Sequence, residues 1–136
     1  MSRKKSGGSG NVSGSLEDYL EAILVIGSSR GAVRSVDVAE HLGFSKPSVS
    51  VAVKRLAELG HIRLDSENKL HLTESGQSIA ERIYERHRVL TGFLSAIGVE
   101  EDIAEEDACR IEHVISQRSF EKIKGVVNKE KDLEEN

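Results

Sequence analysis

The chain's only cysteine lies within one helical turn of a carboxylate and an imidazole. Glu112 and His113 follow Cys109 by three and four residues. In a helix, that spacing places the three side chains in one sector of about 100°. Sulfur, oxygen and nitrogen donors together suit a transition-metal ion. Taken alone, however, the triplet is more typical of a half-buried thiol beside a solvated Glu–His pair.

Two other helical segments carry polar groups beside apolar ones. Asp18 and Glu21 lie three residues apart, next to the apolar stripe of a helix predicted from Ser15 to Gly27. His87 falls on the apolar stripe of the long helix predicted between Thr73 and Gly98. The segment that holds the triplet must bury its own apolar residues against that second stripe. We therefore expect six side chains to converge: Asp18, Glu21, His87, Cys109, Glu112 and His113. Together they would repel or desolvate one another unless a divalent cation neutralised them.

Other chemistries fit this pattern less well. A structural zinc site would show paired Cys or Cys/His knuckles, which the sequence does not contain. Cys109 and His113 resemble a nucleophilic dyad, but one turn of one helix offers neither oxyanion donors nor a cleft. We therefore expect neither enzymatic activity nor a small-molecule substrate.

The elements that precede these segments predict a winged helix-turn-helix. "SVDVAEHLG" predicts a helix that Ser35 caps and Gly43 ends. "KPSVSVAVKRLAELG" predicts a second helix, with Ser45 as its N-cap and Pro47 in its first turn. "HIRL" and "KLHL" then alternate apolar and polar residues on either side of "DSEN", which is typical of a hairpin.

The outward face of the second short helix suits DNA. Its side chains are small, polar or cationic, and residues 45–57 contain no acid although acids outnumber bases in the chain. A helix that enters the major groove needs such a face; the alternative is a helical hairpin with a solvated face. The predicted DNA contacts are Ser45, Pro47 and Ser48 on bases, and Lys46, Ser50, Lys54 and Arg55 on phosphates.

The remaining pattern predicts a mostly α fold with a small β-hairpin wing. Thr73 caps a long helix that ends at Gly98, a further helix covers about residues 100–115, and Ser116 caps a last one. The predicted organisation is a flexible basic Gly/Ser arm (1–14), a winged helix-turn-helix DNA-binding domain (15–73), a helical metal-binding and dimerisation domain (74–126) and a charged, frayed tail (127–136).

Charge and composition agree with this division. Residues 1–64 carry nine Lys or Arg against six Asp or Glu, whereas residues 65–136 carry ten against seventeen. A basic front half and an acidic back half suit phosphate contact and cation binding or assembly, respectively. One cysteine excludes an intrachain disulfide, and no apolar run is long enough to span a membrane. We expect a cytoplasmic protein without a membrane partner.

The winged helix-turn-helix followed by "YERHRVLTGFLSAIGV" and "EEDACRIEHVIS" resembles the diphtheria toxin repressor family of metal-dependent repressors. The resemblance covers about residues 15–125, and the family includes iron-responsive members and manganese transport regulators. It implies a homodimer that binds a palindromic double-stranded DNA operator when loaded with Fe²⁺ or Mn²⁺, and that represses metal-homeostasis genes.

The resemblance also implies a hybrid ligand set. Asp18 and Glu21 match first-helix ligands of the manganese branch, and Cys109 follows the iron branch, where manganese regulators have Glu. Ligands common to both branches are matched by His87, Glu112 and His113. A thiolate favours softer ions such as Fe²⁺ or Zn²⁺, and the carboxylates favour Mn²⁺. The expected ion is Fe²⁺ or Mn²⁺, with Zn²⁺ as a surrogate.

The iron branch's ancillary site is altered. It adds an acid one turn after His87 and a histidine one turn before Cys109, where this chain has Thr91 and Glu105. Glu105 remains a candidate ligand.

Two rival functions stay open at this point. The first is a winged-helix regulator with the same dimer architecture that senses no metal. The second is a metal-binding enzyme or metal carrier whose helix-turn-helix serves only for packing. In the metal-dependent repressor, by contrast, the cation ties the first helix to the dimer core and so sets the separation of the two recognition helices.

Overall fold

The structure is a computed structural model that describes residues 14–135, with side chains for residues 15–130. The described residues form six helices and one antiparallel hairpin, which confirms the predicted mostly α fold class. Their order is α1 (Gly14–Arg30), α2 (Ser35–Leu42), α3 (Lys46–Glu58), β1 (Ile62–Leu64), β2 (Leu70–Leu72), α4 (Glu74–Ala96), α5 (Glu101–Ile111) and α6 (Gln117–Glu135). The predicted flexible arm lies outside the described residues except at Gly14.

Two compact units divide between Arg82 and Ile83, within α4. We call the part up to Arg82 the N-terminal unit and the part from Ile83 the C-terminal unit. Among the described residues, none of the helices combines the length and apolar character that crossing a bilayer requires.

The turn between α2 and α3 has the predicted chemistry. Gly43 follows α2 in the left-handed region at φ 73°, and its N–H donates to the Ala39 carbonyl over 2.8 Å. Ser45 caps α3, since its hydroxyl oxygen accepts from the Ser48 N–H. The prediction for the start of α2 is wrong by one residue. Arg34 is the N-cap there, and its N–H donates to the Asp37 carboxylate over 2.9 Å.

Apolar side chains from α1, α2, α3, the hairpin and the start of α4 fill the core of the N-terminal unit. Those with no more than 3% exposure include Leu20, Ile23, Val33, Val38, Val49, Leu56, Ile62, Leu70 and Ala80. One ion pair borders this core, between the buried carboxylate of Glu17 and Arg82 at 3.0 Å. Pairing compensates the cost of removing that carboxylate from water.

The hairpin pairs Ile62 with Leu72 and Leu64 with Leu70, as the alternating pattern predicts. The Leu70 N–H also donates to the Val33 carbonyl over 2.8 Å, which ties the wing to the segment before α2. Its turn is organised by Asp65, whose carboxylate accepts from the Glu67 and Lys69 N–H groups and contacts the His71 ring at 2.9 Å.

The first turn of α4 passes directly beside the segment between α3 and β1. Thr73 caps α4 as predicted, because its hydroxyl oxygen accepts from the Gly76 N–H over 3.2 Å. A Cβ on Gly76 would lie 1.9 Å from the His61 carbonyl oxygen, so the close approach requires glycine.

In the C-terminal unit, α5 is shorter than predicted and α6 is longer. The helix expected over about 100–115 ends at Ile111, and Glu112 is its C-cap. Ser116 caps α6, where its hydroxyl oxygen accepts from the Ser119 N–H. The segment expected to fray is helical as far as Glu135. Among the side chains described for this unit, the buried apolar ones are Ile83, Leu90, Ala104, Ala108 and Phe120.

Candidate metal centre and DNA-reading helix

Two imidazoles flank one buried carboxylate in the C-terminal unit. The Glu112 side chain has no exposed surface; its Oε1 lies 2.9 Å from His87 Nδ1, and its Oε2 lies 3.5 Å from His113 Nε2. The two imidazole side chains are 27% and 11% exposed, respectively. Three of the six side chains predicted to converge therefore meet here.

The end of α5 explains why Glu112 points inward. Ala104 and Ala108 are buried, and Glu112 continues their spacing of four residues into the C-cap position. The Glu112 N–H still donates to the Ala108 carbonyl, so the carboxylate keeps the direction of the buried helical stripe. His113 lies in the turn that follows.

Cys109 and Glu105 lie on the exposed surface of α5. Both side chains are exposed, whereas Glu112 is fully buried. Glu112 keeps helical backbone angles as the C-cap, so the helical spacing between Cys109 and Glu112 holds, but the two side chains differ in exposure. The roles of Cys109 and Glu105 as ligands stay predictions.

Asp18 and Glu21 are half-buried on α1, within the N-terminal unit. Burial, followed by the negative charge of Asp18, raises the pKa of the Tyr19 hydroxyl. The roles of Asp18 and Glu21 as metal ligands stay predictions.

Arg86 is a component of this region that the sequence reasoning missed. It is 8% exposed and donates from Nη1 to the carbonyls of Glu112 and Ile115 and from Nη2 to the Gln117 side chain. Its guanidinium also lies over the Phe120 ring, 5.4 Å from the centroid. A signal was present, because Arg86 follows Ile83 by three residues and precedes Leu90 by four, on the same buried stripe.

The outward face of α3 has the exposure that DNA reading requires. Every predicted contact is exposed: Ser45, Lys46, Pro47, Ser48, Ser50, Lys54 and Arg55. The opposite face packs Val49, Ala52, Val53 and Leu56 into the core.

Two details qualify the predicted contacts. The hydroxyls of Ser45 and Ser48 bond to each other over 3.0 Å, so a base contact by either must compete with this pair. The sequence also makes Lys69 at the hairpin tip a candidate contact to the DNA backbone, but Lys69 pairs with Glu67 at 3.0 Å, which partly neutralises its charge.

Two family models together match most of the chain. "Iron dependent repressor, N-terminal DNA binding domain" matches residues 11–70, and "Iron dependent repressor, metal binding and dimerisation domain" matches residues 73–132. The site in the C-terminal unit lies within the second match.

Individual proteins give the same picture. The chain is 38% identical over 106 residues to the transcriptional regulator MntR of Salmonella typhimurium, covering 78% of this chain and 68% of that protein. It is 32% identical over 123 residues to the HTH-type transcriptional regulator MJ0568 of Methanocaldococcus jannaschii, covering 89% of this chain and 98% of that protein.

A solved structure, a manganese-dependent transcriptional repressor in complex with manganese, matches with a TM-score of 0.76 and 30% identity. The match covers 83% of this chain and 52% of the solved one. The chain thus spans about half the length of that repressor.

Proposed function

Because the chain belongs to the diphtheria toxin repressor family of metal-dependent regulators, we propose that it is a repressor whose binding to operator DNA depends on a divalent metal ion. The metal-independent regulator is not favoured, since the model matching residues 73–132 is that of a metal-binding domain. Members of the family are transcriptional regulators rather than enzymes.

The proposal is carried by the buried carboxylate of Glu112 between two imidazoles. Removing a carboxylate from water costs several kcal/mol unless positive charge and hydrogen bonds compensate it. Imidazole nitrogen and carboxylate oxygen are ligands that first-row divalent ions accept, so His87, Glu112 and His113 fit such an ion. A bound divalent ion would supply the compensating charge.

The remaining ligands are proposed from the family resemblance. Asp18 and Glu21 on α1 and Cys109 on α5 are the further proposed ligands, with Glu105 as an additional candidate. Mn²⁺ is favoured by the carboxylates and by the manganese-bound relative, and Fe²⁺ by the thiol. Zn²⁺ is expected to act as a surrogate.

Metal gating requires a difference in affinity between two states of the protein. His87, Glu112 and His113 would hold the ion more tightly in the arrangement that binds DNA than in any other. A hundredfold preference corresponds to a bias of about 2.7 kcal/mol toward that arrangement. By the same linkage, operator DNA must raise the protein's affinity for the metal.

We propose a homodimer on a palindromic operator. The matched dimerisation domain supports two copies, and a symmetric pair of α3 helices reads two half-sites separated by about 34 Å or a multiple of it. Metal-homeostasis genes are the proposed targets. A protein that binds operator DNA acts in the compartment that holds this DNA, in agreement with the cytoplasmic location expected from the sequence.

The test combines metal titration with operator binding. A duplex is selected from a random double-stranded library in the presence of Mn²⁺, and its affinity is then measured anaerobically against Mn²⁺, Fe²⁺, Zn²⁺ and EDTA. We expect EDTA to weaken binding at least tenfold and the preferred metal to restore it. Equal affinity with EDTA and with each metal would refute metal gating.

A matched pair of variants identifies the site. Glu112→Gln removes the buried charge and should abolish the metal response, whereas Glu106→Gln changes an exposed acid of α5 and should preserve it. Sedimentation of both variants checks that the oligomeric state is unchanged.

A further inference from the structure

The outward face of α3 carries one branched apolar side chain at its centre. Val51 is 71% exposed. No other large apolar side chain in the described part of the chain is as exposed. Pro47 and Ser48 precede it by four and three residues, and Lys54 and Arg55 follow it by three and four. All four are exposed, so Val51 lies in the middle of their face.

The fold gains little from valine at this position. The core side of α3 is already filled by Val49, Ala52, Val53 and Leu56, and Val51 lies away from it. Valine also forms helices less well than alanine because its branched Cβ restricts χ1. Neither packing nor helix propensity therefore accounts for this residue.

The neighbours of Val51 indicate what it meets. Cationic side chains such as Lys54 and Arg55 bind phosphates and fix the position of a helix in the major groove, whereas side chains between such contacts face base edges. The apolar group that distinguishes one base there is the C5 methyl of thymine.

We propose that Val51 reads a thymine in each half-site by packing against its C5 methyl group. This inference rests on the proposed DNA-binding function and adds a specificity-determining contact to it. Val51 is not among the DNA contacts that the sequence predicts for α3.

The test uses the full chain loaded with Mn²⁺ and the selected duplex. Each thymine is replaced singly by uracil, which keeps the base pair and removes only the methyl group. We expect one position in each half-site at which the replacement weakens binding about fourfold, the effect of losing one buried methyl group.

Val51→Ala should weaken binding to the thymine duplex and remove the uracil penalty at that position. Because the methyl contact is then absent, uracil and the variant together cost no more than the variant alone. Val126→Ala truncates another exposed valine, on α6, and should leave the uracil penalty at its wild-type value. Circular dichroism checks that each variant is folded.

Three results would overturn the inference: a duplex without thymine in its half-sites, no thymine that is sensitive to uracil, or a penalty that persists in Val51→Ala. If Mn²⁺-dependent binding survives in any of these cases, only the role of Val51 is lost. Failure to select any duplex with Mn²⁺, Fe²⁺ or Zn²⁺ would overturn the proposed function and this inference together.

Discussion

The guanidinium of Arg86 donates a hydrogen bond to the backbone carbonyl of Glu112 over 3.0 Å. The same Nη1 reaches the Ile115 carbonyl at 3.0 Å, and Nη2 reaches the Gln117 side chain at 2.9 Å. One buried side chain on α4 thus holds both ends of the turn that carries Glu112 and His113. The planar fork of arginine is suited to this because it presents several donors in fixed directions.

Arg86→Lys should loosen this turn while keeping the positive charge. An ammonium group cannot reach the three acceptors in the same geometry, and hydrogen bonds to charged groups contribute about 1.5–3 kcal/mol each. We expect the free energy of unfolding to fall by about 2–4 kcal/mol and the affinity for Mn²⁺ to fall about tenfold. Chemical denaturation and calorimetric Mn²⁺ titration measure the two effects.

Arg88→Lys is the control for Arg86→Lys. Arg88 is exposed and lies over the Tyr84 ring at 5.8 Å, so its replacement should change neither quantity by more than the experimental error. A positioning role for Arg86 would be wrong if Arg86→Lys lost stability but bound Mn²⁺ as the wild type does.

Gly76→Ala should destabilise the N-terminal unit. The added Cβ would lie 1.9 Å from the His61 carbonyl oxygen, so the backbone at one of the two sites must move. We expect a loss of about 1–3 kcal/mol in the free energy of unfolding, as for other overpacked sites.

Gly92→Ala provides a matched comparison in the same helix. A Cβ there meets nothing within 4 Å, and alanine favours the helix over glycine by about 1 kcal/mol. The two variants should therefore shift the urea midpoint in opposite directions, and a shift in the same direction would contradict the close approach at Gly76.

The charge of Asp65 should stabilise the wing in a pH-dependent way. Hydrogen bonds from the His71 ring and then from the Lys69 N–H hold the pKa of Asp65 well below its ordinary value of 3.8. A carboxylate whose pKa is lower in the folded than in the unfolded state contributes its full stabilisation at pH values above the unfolded-state pKa. That stabilisation is lost as the pH falls through the folded-state pKa. Asp65→Asn should thus be less stable than the wild type at about pH 5, and the difference should shrink toward about pH 2.

Thermal unfolding across this pH range tests the role of Asp65. Glu67→Gln serves as the control, because that exposed acid of the same turn pairs only with Lys69 among the ion pairs described for the wing. A gap between Asp65→Asn and the wild type that stays constant down to the lowest pH would show that the charge is not responsible.

Local signals in the sequence were sufficient for most of the fold. Gly43, Ser45 and Thr73 end or cap helices through contacts with near neighbours, so the residue types alone predict them. The end of α5 at Ile111 was not predictable in this way. The turn after it is held by Arg86, which precedes Glu112 by 26 residues.

In the candidate site, too, the residue types were predictable from the sequence, whereas features that depend on packing were not. Carboxylate and imidazole groups beside apolar helical stripes indicate metal chemistry, and His87, Glu112 and His113 do meet. Glu112 is fully buried on the stripe that Ala104 and Ala108 begin, and a pattern of donor residues alone does not predict that burial. The exposure of Cys109 was likewise not predictable from its spacing to Glu112 and His113.

Replacing Cys109 should change metal selectivity more than metal binding as such. The thiol is exposed on α5, whereas the Glu112 carboxylate is fully buried. If Cys109 contributes a thiolate ligand, Cys109→Ser should weaken Zn²⁺ binding by on the order of tenfold and Mn²⁺ binding much less, because Zn²⁺ is the softer ion. Cys109→Glu should shift the preference further toward Mn²⁺. Competition titrations of both variants under anaerobic conditions measure the ratio of the two affinities. An equal change for Zn²⁺ and Mn²⁺ in Cys109→Ser would contradict a thiolate ligand at Cys109.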